Sequence, residues 1–236
     1  RLIGTNITGD SCFMEPETAD RLALRLRQWG FNCVRLHFMD FTRKSSIWED
    51  AKTGTLSEDQ LKRLDRLVAA FAENGIYTNL NLHVGRAYPG QPRIPGSRLF
   101  RFGKTLDRWY EPYVVMIEEY ARGLLDRRNT VTGIRWGDDP AICAIEINNE
   151  NTLVNRIRPE YRQLPDPWRS AFLAKWNAWL RAKYGTTEAL RKAWNRDVRP
   201  LGEEILDGPW IVQNSQGAES ELIRDGDVWR WTATRA

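Results

Sequence analysis

Apolar and polar residues alternate with a period of two in three stretches of the chain. In residues 31–38, Val34, Leu36 and Phe38 fall on one side, with Cys33, Arg35 and His37 on the other. In residues 76–84, Thr78, Leu80 and Leu82 oppose Tyr77, Asn79, Asn81 and His83. In residues 141–151, Cys143, Ile145 and Ile147 oppose Ala144, Glu146, Asn148 and Glu150. Each pattern predicts a strand with one apolar and one polar face, and residues 2–6 read as a shorter strand before them.

Helical stripes separate these strands. Ala19, Leu22, Leu26 and Trp29 form one that Gly30 ends, after a start near Pro16. Leu61, Leu64, Leu67, Val68 and Phe71 form another, opened by the capping-box spacing of Ser57 and Gln60 and closed by Asn74-Gly75. Residues 109–125 bury Tyr113, Ile117, Tyr120, Ala121 and Leu124; residues 167–185 bury Phe172, Trp176, Trp179 and Leu180; a short helix follows over 187–194. Strand followed by helix, four times, predicts an α/β fold with a parallel sheet, either a (β/α)8 barrel of the TIM type or an open doubly wound sheet.

Beyond residue 200 the pattern changes. Residues 210–213, 220–223 and 228–234 read as short strands, with Asp225-Gly226 as a hairpin signal. The expected organisation is therefore a partial barrel over 1–200 and the start of a β-rich, sandwich-like segment over 201–236. The first strand begins almost at Arg1 and the chain holds only four strand-helix units in all, so both ends read as internal to a longer protein and a C-terminal half of the barrel is expected as a partner.

Composition narrows the function. The chain has 236 residues, 42% of them hydrophobic and 11 of them tryptophan, enough for a substantial core. Its net charge of +4 comes from basic residues interspersed with acidic ones, which argues against nucleic acid. Cys12, Cys33 and Cys143 lack metal-ligand spacing and imply no disulfide framework. No apolar run reaches the length of about 18 residues that a membrane span needs, and no cofactor is expected. Location is left open, a secreted or periplasmic place being compatible.

The polar faces carry the chemistry. In a barrel they point to the axis, and His37, His83 and the Asn149-Glu150 pair reach the rim where such enzymes keep their active sites. Arg35 and Glu146 lie below the rim and are expected to neutralise one another or to share a network with Asn79, Asn81 and Asn148. An Asn-Glu pair ending the fourth strand, Arg35 on the second and His83 ending the third resemble glycoside hydrolase family 5, the cellulase-like enzymes of clan A, over residues 2–194. The resemblance implies a retaining glycosidase acting on a β-linked oligo- or polysaccharide. It implies Glu150 as acid/base, Asn149 on the sugar 2-hydroxyl, Arg35 orienting the nucleophile and His83 lining the sugar site. Such an enzyme needs a second carboxylate about 5 Å from the first. The family takes it from a seventh strand, which the pattern does not supply, so this chain alone is expected to be inactive.

Trp48 and Tyr88, on loops leaving strand ends, are expected to stack on sugar, and His37 to line the site with them; Trp136 lies toward the opposite rim and is expected to serve stability. Trp210, Trp229 and Trp231 in the tail are expected to be core or sugar-stacking residues. Two other readings stand beside this one. A metal-dependent barrel hydrolase would gather His37, Asp40, His83 and Glu150, and a non-catalytic barrel would only bind carbohydrate.

Overall fold

A computed structural model describes residues 1–41, 46–51, 53–86, 104, 106–151, 164–205, 224, 226–228, 230 and 231. The chain divides into two compact units, Arg1–Pro92 with Val115–Asn151, and Arg93–Val114 with Thr152–Ala236. This division falls elsewhere than at residue 200.

The first unit is built on a parallel sheet of β1 (Gly4–Thr8), β2 (Cys33–His37), β5 (Tyr77–Asn81) and β6 (Ile142–Glu146), in that order. Each strand pairs with the next in the series, Asn6 and Asn79 flanking Arg35 and Asn81 opposing Glu146. A doubly wound sheet would reverse its order part-way. Here every crossover adds its strand on the same side, which is the progression of a barrel. A small antiparallel ribbon, β3 (Trp48–Asp50) with β4 (Thr55–Leu56), sits in the connection after β2.

Helix α1 (Pro16–Gln28) starts on its proline and is followed by Gly30 in the left-handed region at φ 83°. Ala19, Ala23 and Leu26 are its buried residues; Trp29, expected in the stripe, is instead the C-cap and 66% exposed, with Arg25 over its ring. Helix α2 (Glu58–Glu73) buries the predicted stripe, and Ser57 is its N-cap. The predicted capping box does not form, since the Ser57 side chain makes no cap hydrogen bond. Valines and leucines of β2 and β5 (Val34, Leu36, Leu80) pack against α1 and α2, and Tyr120 and Leu124 of α3 (Glu111–Leu125) join the same core.

One buried charge organises the end of this core. Asp65 of α2 accepts from Arg127 Nη2 at 2.8 Å, from Thr130 N and Oγ1 at 3.1 and 2.9 Å, and from Trp136 Nε1 at 3.0 Å. A buried carboxylate is tolerable only with such a set of donors. Trp136, buried here, serves packing as expected.

In the second unit, α4 (Trp168–Tyr184) and α5 (Thr187–Trp194) carry an aromatic cluster. Trp109, Phe172 and Trp231 meet edge to face at 5.0 Å centroid distances, with Trp176 beside Trp231 at 5.2 Å. Trp231 is therefore core. Residues 224, 226–228, 230 and 231 are helical, which corrects the strand expected over 228–234. Asp227, fully buried, accepts from Lys183, Tyr184 and Trp194 Nε1, and a helical turn around it places Val228 and Trp231 on one buried face. The other expected tail strands, over 210–213 and 220–223, lie outside the described residues, as does Trp229.

Candidate active site

The polar residues of β2, β5 and β6 meet at the C-terminal ends of these strands. Arg35 donates through Nε to Glu146 Oε2 at 2.7 Å and through Nη2 to Glu146 Oε1 at 2.8 Å. The same Nη2 reaches Asn149 Oδ1 at 2.8 Å. The planar guanidinium suits this arrangement, because its fork matches a carboxylate and leaves a donor over for a third oxygen. With its Oδ1 held by Arg35, Asn149 presents the donor end of its amide.

Asn81 links the histidine of β2 to β6. Its Nδ2 donates to the Glu146 carbonyl at 3.3 Å, which turns its Oδ1 to His37 Nδ1 at 2.8 Å. His37 therefore carries its proton on Nδ1. Burial, seconded by the Arg35 charge, lowers the His37 pKa below the ordinary 6.5 against the opposing pull of the Asn81 bond. His83 is buried and repeats the motif, with Nδ1 at 2.7 Å from Asn148 Oδ1, itself an acceptor from Asn151 Nδ2 at 3.1 Å. The His83 carbonyl accepts from Asn149 N at 2.9 Å.

Strict alternation holds along β2 but not along β6. A bulge at Cys143 shifts the pairing between Thr78–Ile142 and Asn79–Ala144, and the strand ends at Glu146. Beyond it the chain bends, so that Asn149 turns toward Arg35 although parity would send it the other way. Glu150 sits exposed in the left-handed region at φ 47°. The face expected to be covered is also open: Ile145, on the last strand of the described sheet, is 42% exposed, and Ile147, just past its end, 63%.

Arg35, His37, His83, Asn149 and Glu150 thus lie on consecutive strand ends, and the first four belong to the hydrogen-bonded set just described. Trp48 does not join them. Its Nε1 donates to the Asp40 carbonyl at 3.0 Å, and its half-buried ring packs 5.3 Å from Tyr120 with the Arg86 guanidinium 5.8 Å above it. Tyr88 lies outside the described residues. Asp40, weighed as a metal ligand, has its carboxylate turned to the backbone amides of Val84, Gly85 and Arg86. No group of three or more potential metal-ligating side chains gathers among the described residues. Sequence reasoning did not anticipate Asn151 or this use of Asp40, because both depend on where loops turn.

The family model for cellulase, glycosyl hydrolase family 5, matches residues 2–198. The chain belongs to glycosyl hydrolase family 5. No curated protein matches it. Among solved structures, this family 5 chain is similar to the endo-1,4-beta-mannanase from Rhizomucor miehei, at 20% identity and TM-score 0.51, over 81% of this chain and 53% of that one. It is similar to the endo-beta-1,4-mannanase from Thermotoga petrophila at 18% identity and TM-score 0.50, over 94% and 47%. The beta-galactosidase from the psychrophilic Marinomonas ef1 aligns at 20% identity and TM-score 0.57, over 91% and 31%. The family 5 chain thus spans about half the length of the mannanases it matches and a third of the galactosidase. At this identity the likeness supports the barrel fold, and among the described residues no helix is long and apolar enough to cross a membrane.

Proposed function

We propose that the chain carries the acid/base half of a retaining β-glycosidase active site. The observation behind this reading is the Arg35 fork, which holds Glu146 and Asn149 together beside Glu150 at the ends of neighbouring barrel strands. Glu150 gives its proton to the glycosidic oxygen as a second carboxylate, from outside the described residues, attacks the anomeric carbon and displaces the leaving alcohol. Glu150 then takes a proton from water, whose oxygen displaces the sugar from that carboxylate. Asn149 donates to the sugar 2-hydroxyl, and His83 and His37 line the sugar site. Arg35 fixes Asn149 directly; its contact to a nucleophile, implied by the family resemblance, is a second task for the same cation.

The substrate is a β-linked oligo- or polysaccharide, and β-1,4-mannan oligosaccharides are the first to test, given the two mannanases of similar fold. In the full-length protein, Glu150→Gln should lower hydrolysis of such oligosaccharides by roughly 10²- to 10⁴-fold. It should spare much of the activity on aryl β-glycosides, whose leaving groups need little protonation. Equal rates for variant and parent on both substrates would refute the role of Glu150, and glycan binding without turnover by the parent would favour a carbohydrate-binding barrel.

A further inference from the structure

Asp40 lies three residues past the end of β2 and is fully buried. Its carboxylate accepts three consecutive backbone N–H groups from the chain leaving β5: Val84 N at 2.9 Å, Gly85 N at 3.1 Å and Arg86 N at 3.1 Å. Its own carbonyl accepts from Trp48 Nε1, and Trp48 with Tyr120 forms the aromatic bed under the Arg86 guanidinium, 4.8 Å from the Tyr120 ring. Both ends of Asp40 therefore act on the same short segment, one through the backbone of 84–86 and the other through the side chain of Arg86.

The segment is also closed from its other side. A Cβ on Gly85 would stand 2.4 Å from Phe41 Cδ2 and 3.1 Å from Phe38 Cδ1, so the backbone at 85 is seated directly against these rings. Burying a carboxylate costs several kcal/mol unless its partners recover it, and a row of amides converging on one anion is such a set. A loop exit that needed only to be satisfied could meet water instead, since connections ordinarily run over the surface.

His83 immediately precedes these three amides. Its ring is bonded to Asn148 and its carbonyl to the Asn149 amide. We propose that Asp40 is a positioning residue of the active site: by clamping residues 84–86 it fixes the exit of β5, and through His83 it sets the His83 ring and the backbone of Asn149, whose side chain faces the sugar. This rests on the glycosidase reading for its purpose, and on the hydrogen bonds alone for its mechanism. A displacement on the scale of 1 Å in groups that bind the transition state lowers turnover on the order of 10²-fold.

The test is Asp40→Asn in the full-length protein, which keeps the size of the side chain but turns one acceptor into a donor facing amides. In the parent, ¹⁵N shifts of the His83 imidazole should report a single tautomer protonated on Nδ1. In the variant they should move toward a mixture while those of His37 stay, and kcat on β-1,4-mannan oligosaccharides should fall on the order of 10²-fold, more than KM changes. Asp40→Glu, which retains the charge, should recover part of both. A folded Asp40→Asn with unchanged His83 shifts and unchanged kcat overturns the proposal. If that variant does not fold, hydrogen exchange in the parent decides: amides 84–86 protected like those of β5 support the clamp, and exchange at loop rates overturns it. A parent without turnover on any glycoside removes the glycosidase reading, while the His83 shifts still judge the clamp.

Discussion

Arg35 and Glu146 form a two-point ion pair across the strand between them, Nε to Oε2 at 2.7 Å and Nη2 to Oε1 at 2.8 Å. Both side chains are about a quarter exposed, at 24% and 28%, so the pair is neither fully screened nor fully desolvated. Arg35→Met should destabilise the fold by about 2 kcal/mol, below the cost of breaking a wholly buried pair. Adding Glu146→Gln should recover part of this, and urea unfolding of both single variants and the double variant measures the coupling. Arg35→Lys is not a rescue, because an ammonium cannot hold the carboxylate and Asn149 in one plane.

Asp65 is the stronger structural charge. Its carboxylate has donors from Arg127, Thr130 and Trp136 and no exposure to water. Asp65→Asn leaves Arg127 partly desolvated without its buried counter-charge. It should cost about 3 kcal/mol in denaturant unfolding, with no change expected at the Arg35 cluster.

Gly85 is required by its surroundings. Gly85→Ala should destabilise the protein by about 1–3 kcal/mol, as overpacked interiors do, since the added methyl meets the Phe41 ring. Combining it with Phe41→Leu should cost less than the sum, which thermal unfolding of the pair would show.

His37 makes stability depend on pH. Its folded pKa lies below 6.5 because burial disfavours the imidazolium, so the unfolded chain binds the proton more readily. The contribution of keeping it neutral is complete above pH 6.5 and declines as the pH falls from there through the folded pKa. An NMR titration of His37 should give a midpoint below 6.5, and His37→Gln should flatten the stability profile in that window.

The sheet and its helices were legible because period decides them. Val34 and Leu36 against Arg35 and His37 follow directly from the twofold repeat of a strand, and the stripe from Leu61 to Phe71 from the helical one. Parity also placed Arg35 and Glu146 on one face, and their contact needs only the reach of a long side chain across β5. What escaped lies where period stops. Asn149 meets Arg35 because the chain bends after Glu146, Trp48 is turned inward by a bond to a loop carbonyl, and the tail around Asp227 is helical because a buried acid needed donors from α4 and α5. Each outcome is set by a partner distant in sequence, and alternation carries no record of it.

The left-handed backbone of Glu150 sets local durability against the chemistry proposed for this residue. A residue with a Cβ is uncomfortable at φ 47°, and glycine or asparagine would rest there more easily. The acid is therefore kept at a local cost of about 1 kcal/mol. Glu150→Asn should unfold at a higher temperature than the parent, which would make this protein sturdier without the side chain proposed as its acid than with it.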